Sequence, residues 1–502
     1  MKKLFLSLTA ILLSITITAC SSAENSLSGG AADADMAGGG VPSTAPTAAA
    51  GGAYAEGGIG DAGGGEAPSD DGEAPSYDAE EPSYEAYEKG EYDMAEGAAA
   101  LDGIYGGMAD DYMIPIEPIV PEENHIPAVA GTLTAGEWID NDHITFWNAL
   151  HQVGSTGWSE YSTLWRRAYT ARTFVTVTCD MQPVENAVVT VTNSDNKILW
   201  TAKTDNEGKA YLFYDPSQLN GELTVTAEYR ETETTGTATI TSDNYTSCAI
   251  DMTVINDIAY RRNSGSLDLM LVVDTTGSMY DELEYLQEEL ESVIKRAVSD
   301  NGNIPVRLSV NFYRDDGDEY VVRDFPFTDN ISQAISDLKA QYADGGGDFP
   351  EKVNAALYNA INGHDWNENS TKLLFIILDA PPHSDDAIAV DQMNTLTEQA
   401  AQKGIRIIPI LASGGDKEAE YLLRDMAMKT GGTYLFLTDD SGVSVGGHIQ
   451  PTVGDYDVEK LNDLMVKVIN RYLAFNTTPA SYTDEQVELS EIPDPDTTEY
   501  EQ

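Results

Sequence analysis

Acid and hydroxyl side chains follow a predicted strand in the stretch LDLMLVVDTTGS, residues 267–278. The apolar run 267–273 is typical of a buried strand, and it stops at Asp274. Thr276 and Ser278 follow at alternate positions, so that one carboxylate and two hydroxyls can face the same point. Hard divalent cations prefer such oxygen ligands. The stretch therefore predicts a metal site at the carboxyl end of a strand.

Two later loops carry acids at comparable positions. GGGDFPE, residues 345–351, opens a predicted helix, and LDAPPH, residues 378–383, ends a predicted strand at Asp379. In an open parallel sheet, ligands bind beyond the carboxyl ends of the strands. Each loop alone is also compatible with an ordinary cap or turn. Their joint occurrence, in the right order, favours one site built from three loops.

The region that holds these loops alternates strand and helix, which predicts an α/β domain with a doubly wound, mostly parallel sheet. The predicted strands are 267–273, 306–313, 320–325, 372–378, 405–411 and 433–437. The predicted helices are 279–299, 331–341, 350–362, 387–403, 418–430 and 458–474.

Residues 266–475 resemble the von Willebrand factor type A (VWA) domain and its metal-ion-dependent adhesion site (MIDAS). The resemblance implies one divalent cation, Mg²⁺ or Ca²⁺, with Mn²⁺ a further candidate. Its ligands would be the hydroxyls of Thr276 and Ser278, with Asp274 and Asp379 binding directly or through water. Asp348 occupies the second-loop position where the family often has threonine. A third carboxylate would make the site more anionic, which disfavours an acidic ligand group and favours Ca²⁺.

Several neighbours could line the rim of this site. Glu351 and His383 flank the second and third loops. The glycine-rich segment 441–454, with His448, is either a rim or a plain connector. A predicted hairpin, YRDDGDEY, carries acids that we interpret as a solvated turn: Asp315, Asp316, Asp318 and Glu319.

The first twenty residues have the pattern of a secretory signal. Lys2 and Lys3 precede the apolar run 4–17, and small residues lead to Cys20. The quartet ITAC resembles a bacterial lipobox, which implies cleavage before Cys20 and lipidation of its sulfur. Two or three acyl chains make such an anchor stable. We expect a protein of the bacterial cell envelope, extracytoplasmic and bound to a membrane only through this lipid.

Residues 21–125 are rich in Gly, Ala, Pro and acids, which predicts a disordered linker. The acidic tail 476–502 is interpreted in the same way. Residues 126–172 predict a Trp-rich helical capping segment whose rings either form a small core or stack on sugars. Its tryptophans are Trp138, Trp147, Trp158 and Trp165.

Residues 173–256 contain short alternating runs that predict a smaller all-β sandwich. PVENAVVTV and TDNEGKAYLF resemble the carboxypeptidase-regulatory, or transthyretin-like, fold, whose modules usually serve as spacers or interaction surfaces. Cys179 and Cys248 lie near its two ends and could form a disulfide or remain buried thiols.

The chain has 84 acidic and 28 basic residues and a formal net charge of -56. This balance argues against nucleic acid and anionic membrane surfaces as partners. It favours cations or a basic partner, or serves solubility alone.

These features predict a lipid-anchored binding or adhesion protein that engages a protein or cell-surface polymer through the metal site. The alternative is an assembly or scaffold role in an envelope complex, with a mainly structural metal. We predict no enzyme, because no plausible general base accompanies the site, histidines number only six, and HExxH is absent.

Overall fold

The computed structural model describes residues 128–167, 171–219, 222–230, 232–238, 245–252, 265–301, 304–441, 447–474, 478–485 and 487. All of them lie in one compact unit, Ile114–Gln502. The predicted signal segment with Cys20 and the predicted linker 21–125 lie outside the described residues. None of the described helices is both long and apolar enough to cross a membrane.

The Trp-rich segment begins with a strand and continues into two short helices. These elements are β1 (Thr134–Trp138), α1 (Ile144–Leu150) and α2 (Trp158–Leu164). All four tryptophans are buried. The rings of Trp147 and Trp158 pack against Tyr421, with centroid distances of 5.5 and 5.6 Å. Buried rings have no free face for a sugar, so the structure favours the core interpretation.

A β-domain follows, built from two four-stranded sheets. Val189 and Val191 are buried while their neighbours are half-buried, the alternation expected of a strand with one covered face. Trp200 and Phe213, from different sheets, meet edge to face at 5.7 Å. The strands are β2 (Ala171–Cys179), β3 (Gln182–Pro183), β4 (Val188–Thr192), β5 (Ile198–Lys203), β6 (Lys209–Tyr214), β7 (Leu223–Tyr229), β8 (Thr232–Ala238) and β9 (Tyr245–Asp251).

The two cysteines of this domain are buried free thiols. Strands β2 and β9 run parallel, and their register places Cys248 opposite Val175. Cys179 lies four residues further along β2, about 13 Å away at the rise of a β-strand. A disulfide needs Cα atoms within about 7 Å. The pairing of Cys179 with Cys248 is therefore not formed, because the register holds the two residues apart.

The remaining elements form the α/β domain, in the order predicted from sequence. They are β10 (Leu267–Asp274), α3 (Leu283–Asp300), β11 (Val306–Tyr313), β12 (Val322–Arg323), α4 (Ile331–Lys339), α5 (Val353–Asn362), β13 (Thr371–Leu378), α6 (Ala387–Lys403), β14 (Ile405–Leu411), α7 (Lys417–Thr430), β15 (Tyr434–Thr438), β16 (Glu459–Lys460) and α8 (Leu461–Leu473).

The main sheet has the strand order β12-β11-β10-β13-β14-β15-β1-β16. Neighbours from β11 to β15 run parallel, while β12, β1 and β16 are antiparallel to their partners. Every residue of β10, β13 and β14 is buried. Burial on both faces is what allows these strands to be continuous apolar runs. Strands β10 and β13, which lead to the first and third predicted loops, are thus central in the sheet.

Strand β1 belongs to this sheet although the β-domain separates it from β10 in sequence. It pairs antiparallel with β15, with Thr134 opposite Thr438. The β-domain is therefore inserted between β1 and the rest of the α/β domain. Sequence analysis does not predict this strand, because TAGEW is short and contains glycine at its centre.

Part of the tail predicted to be disordered packs on the folded unit. The backbone N–H of Glu485 donates to the carbonyl of Asp142 at 2.6 Å, and Ala480 N donates to Glu207 O at 3.2 Å. Tyr482 packs against Phe174, with ring centroids 5.9 Å apart. Residues 478–485 therefore lie on the β-domain and on the segment before α1, and the ring of Tyr482 helps to hold them there. The prediction of disorder rested on the acidic composition of the tail and did not consider this ring.

Gly136 tests the placement of β1. A Cβ atom there would lie 2.5 Å from the Phe436 ring. We expect Gly136→Ala to lower the free energy of unfolding by about 1–3 kcal/mol, the usual cost of overpacking. Gly154→Ala is the matched control, because nothing lies within 4 Å of its added Cβ. Urea denaturation measures both, and equal stabilities would contradict the packing of β1 into the sheet.

Candidate metal centre

The first loop organises its oxygen atoms around Asp274, the last residue of β10. The backbone N–H and the hydroxyl of Thr276 both donate to Asp274 Oδ1, at 2.9 and 2.7 Å. The hydroxyls of Thr276 and Ser278 lie 3.1 Å apart. Asp274 and Thr276 are fully buried, whereas Ser278 is exposed. The predicted carboxylate and hydroxyls are thus adjacent, with Ser278 at the mouth.

Asp379 joins this group from the neighbouring strand. It follows β13, which pairs in parallel with β10. Its side chain is buried, and the Ser278 hydroxyl donates a hydrogen bond to it. Two parallel strands that end side by side therefore bring Asp274 and Asp379 together, as their positions predicted.

The second loop contributes a different acid from the one predicted. Asp348 is exposed, whereas Glu351 is only 2% exposed. The predicted helix start at Pro350 is displaced, because α5 begins at Val353. The Glu351 N–H instead donates to Pro381 O at 3.0 Å, which joins the second and third loops. This extended link turns Glu351, and not Asp348, toward the other two carboxylates.

Three buried carboxylate oxygens of this group have no hydrogen-bond partner: Asp274 Oδ2, Glu351 Oε2 and Asp379 Oδ1. Burial raises the pKa of Asp274 and of Asp379, and each is raised further by nearby carboxylates. Burial also raises the pKa of Glu351 to about 9, with Asp274, Asp315 and Asp379 adding repulsion. Buried like charges are costly unless a cation compensates them.

The donor set fits a hard divalent cation. Carboxylate and hydroxyl oxygens are the ligands that Mg²⁺ and Ca²⁺ prefer, and the unpartnered oxygens are available for one. Among the described residues, no three Asp, Glu, His or Cys side chains are grouped closely enough to hold a metal by themselves. The hydroxyls of Thr276 and Ser278 would therefore have to complete a shell whose carboxylates come from Asp274 and Asp379, with Glu351 beside it.

Arg314 braces the first two loops and was not singled out from the sequence. Its guanidinium is buried and donates to Thr275 O at 3.0 Å and to Tyr342 O at 2.8 Å. It also lies over the rings of Tyr320 and Tyr342, at 4.7 and 5.0 Å from their centroids.

Two acids of the hairpin after β11, Asp315 and Asp318, are part of this bracing, whereas Asp316 and Glu319 are exposed as predicted for a solvated turn. Asp315 is buried and lies 3.1 Å from His383 Nε2. The Asp318 carboxylate accepts from Gly346 N at 2.9 Å. Gly345 has a φ of +80°, and a Cβ there would lie 2.3 Å from Asp318 Oδ1. The glycines of the second loop thus allow the hairpin to approach it closely.

His448 lies behind the site and contacts Glu282. Its Nε2 is 3.3 Å from Glu282 Oε1, and its Nδ1 is 2.7 Å from Asp439 Oδ1. Burial opposes protonation, but these two carboxylates raise the pKa of His448 overall. Glu282 also accepts from Ser413 N, so the loops after β14 and β15 are joined here. His448 therefore links neighbouring loops through Glu282 and Asp439. Of the two roles predicted for its segment, rim or connector, these contacts favour the connector.

The sequence also contains a pentad with the G-x-S-x-G spacing of hydrolase nucleophiles, GVSVG at 442–446. These residues lie outside the described ones. The hydrolase motif needs a helix directly after the serine, but the next described helix begins at Leu461. The pentad alone assigns no catalytic role.

Comparison with known proteins identifies the α/β region. The family model of the von Willebrand factor A domain matches residues 268–445. This segment is therefore similar to a VWA domain, a class that generally serves protein interaction or adhesion. The match covers the strands from β10 to β15 and all three loops of the site. It does not include β1 or the β-domain.

A second similarity is to a curated viral protein, the putative ariadne-like RING finger protein of Acanthamoeba polyphaga mimivirus. The two chains are 32% identical over 121 residues, which is 24% of this chain. The aligned part is 12% of the viral protein's length. The similarity thus concerns one segment of a much longer protein.

Arg314→Lys tests the bracing of the loops. A lysine cannot reach both carbonyls, so we expect the free energy of unfolding to fall by about 2–3 kcal/mol, as for lost hydrogen bonds to a buried charge. Arg323→Lys is the control, because Arg323 also lies over Tyr320, at 3.9 Å, but is partly exposed. Its expected loss is below about 1 kcal/mol. Equal losses in chemical denaturation would contradict a special role for Arg314.

Proposed function

We propose that this protein is a lipid-anchored, extracytoplasmic binding protein that engages a partner through a divalent cation in its VWA domain. The observation that carries the proposal is the set of buried, unpartnered carboxylate oxygens on Asp274, Asp379 and Glu351. Without a cation, their burial would only destabilise the fold. With one bound, the exposed hydroxyl of Ser278 lies at the mouth that a partner would approach.

The metal we propose is Mg²⁺ or Ca²⁺, with Mn²⁺ a further candidate. Asp274, Asp379, Thr276 and Ser278 would hold it, and Glu351 would take the second-loop role first assigned to Asp348. The cation would supply positive charge and open coordination positions for oxygen groups. An additional carboxylate favours Ca²⁺, which accepts more oxygen ligands and less regular geometry than Mg²⁺.

The anchor in this proposal is the lipid on Cys20, followed by the acidic linker 21–125. Its support is the lipobox-like quartet ITAC after a basic start and an apolar run. A flexible linker of about a hundred residues has a mean reach of roughly 50–60 Å. The binding face could then search the space around the membrane without leaving it.

A scaffold role in an envelope complex is the second candidate, favoured by the firm attachment of the β-domain. Strand β5 packs on α6, and Arg406 Nη2 donates to Lys203 O at 2.7 Å. Two domains held in this way could present partners at a fixed angle. In either case we propose binding without catalysis, as the sequence analysis predicts.

Metal binding is tested by thermal unfolding of the full chain with added Mg²⁺ or Ca²⁺ and with chelator. A cation at a hundred times its Kd adds about 2.7 kcal/mol of stability, so we expect the melting temperature to rise by roughly 5 °C. Asp274→Ala should remove this rise. No cation-dependent shift in the wild-type protein would refute the metal site.

The same measurement identifies the second-loop ligand. Glu351→Gln should reduce the cation-dependent rise strongly, because a buried carboxylate is lost beside the cation. Asp348→Asn is the matched control and should retain the full rise, since Asp348 is exposed. A rise that is lost in Asp348→Asn and retained in Glu351→Gln would identify Asp348 as the second-loop ligand.

The pH dependence without metal is the next test. Raised pKa values mean that the folded protein keeps protons that the unfolded chain has released. Stability should therefore fall as the pH rises from the ordinary carboxyl range through the pKa of Glu351, about 9. We expect a lower melting temperature at about pH 8 than at about pH 5.5 in chelator. Glu351→Gln should narrow the difference, whereas exposed Glu319→Gln should not.

Added cation should reverse that trend, because it binds deprotonated ligands and stabilises more at high pH. A chelated protein that becomes more stable between these two pH values would contradict the electrostatic account.

A further inference from the structure

Among the described residues, the face that carries the site is acidic, and its arginines are paired: Arg323 with Glu319, and Arg314 with Glu319 and Asp344. Exposed carboxylates on the loops at the carboxyl ends of the strands surround the mouth; they are Glu319, Asp344, Asp348, Asp385 and Asp440. The side chains of Asp344 and Asp385 are 69% and 92% exposed. Lys352 and Lys417 lie on the same side, but Asp316 and Glu420 pair with them.

The opposite edge of the sheet, at the amino ends of the strands, holds basic side chains. Lys372 and Arg406 are buried there, and Arg307 is paired with Asp268. The amino edge is thus mixed in charge, because the exposed acids Asp365 and Glu368 lie there just before β13. A divalent cation at the site would neutralise part of the buried charge and none of the exposed rim.

Exposed apolar side chains stand among these acids. Tyr280 is 78% exposed two residues after Ser278, and Phe349 is 46% exposed two residues before Glu351. Ile388, at the start of α6, is 67% exposed. Aromatic faces beside carboxylates are suited to arginine and lysine, which bind by cation–π contact and by ion pairing.

We propose that the partner of this face is a basic protein segment, with arginine or lysine side chains interspersed with apolar ones. The inference rests on the proposed function and specifies the partner of the same site. Its supports are the exposed acids of the rim and the exposed rings of Tyr280 and Phe349. The backbone carbonyls of such a segment would supply the oxygen that the cation accepts. An acidic segment would be repelled by the rim before it reached the cation, whereas a basic one would be attracted.

The test uses the full chain with Ca²⁺ and three fluorescent peptides of one length. The first alternates arginine with leucine, and in the others glutamate or glutamine replaces arginine. Anisotropy should show the arginine peptide binding at least tenfold more tightly than the glutamate peptide, with the difference reduced at high salt. Tighter binding of the glutamate peptide would overturn the proposal.

Two triple variants separate this face from the general acidity of the chain. Asp344→Asn, Asp348→Asn and Asp385→Asn together should weaken the arginine peptide at least fivefold. Glu222→Gln, Glu228→Gln and Glu368→Gln together remove the same charge from exposed positions elsewhere and should leave its affinity within twofold. Equal weakening by both sets would overturn the proposal, because binding would then be nonspecific.

Tyr280→Ala and Phe349→Ala should each weaken the arginine peptide several-fold without changing the melting temperature. The cation-dependent melting shift, measured on every variant, distinguishes the two hypotheses. A missing shift in the wild type would refute the metal site, whereas a retained shift without preference for arginine would overturn the basic partner alone.

Discussion

Repulsion between buried carboxylates is the constraint on which the site-bearing half of this structure depends. Asp274, Asp379 and Glu351 are enclosed together, and each retains an oxygen without a hydrogen-bond partner. Such a group would separate if its backbones were free to move. Instead, hydrogen bonds fix the loops. Arg314 donates to the first loop at Thr275 O, the Glu351 N–H donates to the third loop at Pro381 O, and the Asp318 carboxylate accepts from Gly346 N of the second loop. The scaffold therefore keeps the acids in place before any ligand arrives, which is the preorganisation that a cation site requires.

Much of the α/β region could be predicted from sequence, because its central strands are buried on both faces. The apolar runs that end at Asp274 and at Leu378 are long, and helical periodicity separates them. Strands β11 and β14 and helix α6 have the predicted ends. In a parallel sheet the carboxyl ends lie at one edge, so the proximity of Asp274 and Asp379 follows from strand order alone.

The parts that could not be predicted depend on contacts between distant residues. Sequence analysis favours Asp348 over Glu351 because Asp348 occupies the position where the VWA family often has threonine. Only the hydrogen bond from Glu351 N–H to Pro381 O shows that the chain is still extended at Glu351. Strand β1 was missed because its partner, Thr438 in register with Thr134, lies beyond an entire inserted domain. Arg314 was missed because its partners are the backbone carbonyls of Thr275 and Tyr342. Every residue has such a carbonyl, so residue types do not indicate the contact.

The position of β1 also sets the order in which this protein can be made. During synthesis β1 emerges early, but its hydrogen-bonding partner β15 follows about three hundred residues later. Strand β1 therefore stays without this partner until the β-domain and most of the sheet have emerged. The first of the described strands is thus among the last to be paired. A chain interrupted before β15 lacks the strand that joins β1 to the rest of the sheet. The backbone N–H and C=O groups of β1 would then have no β15 to pair with.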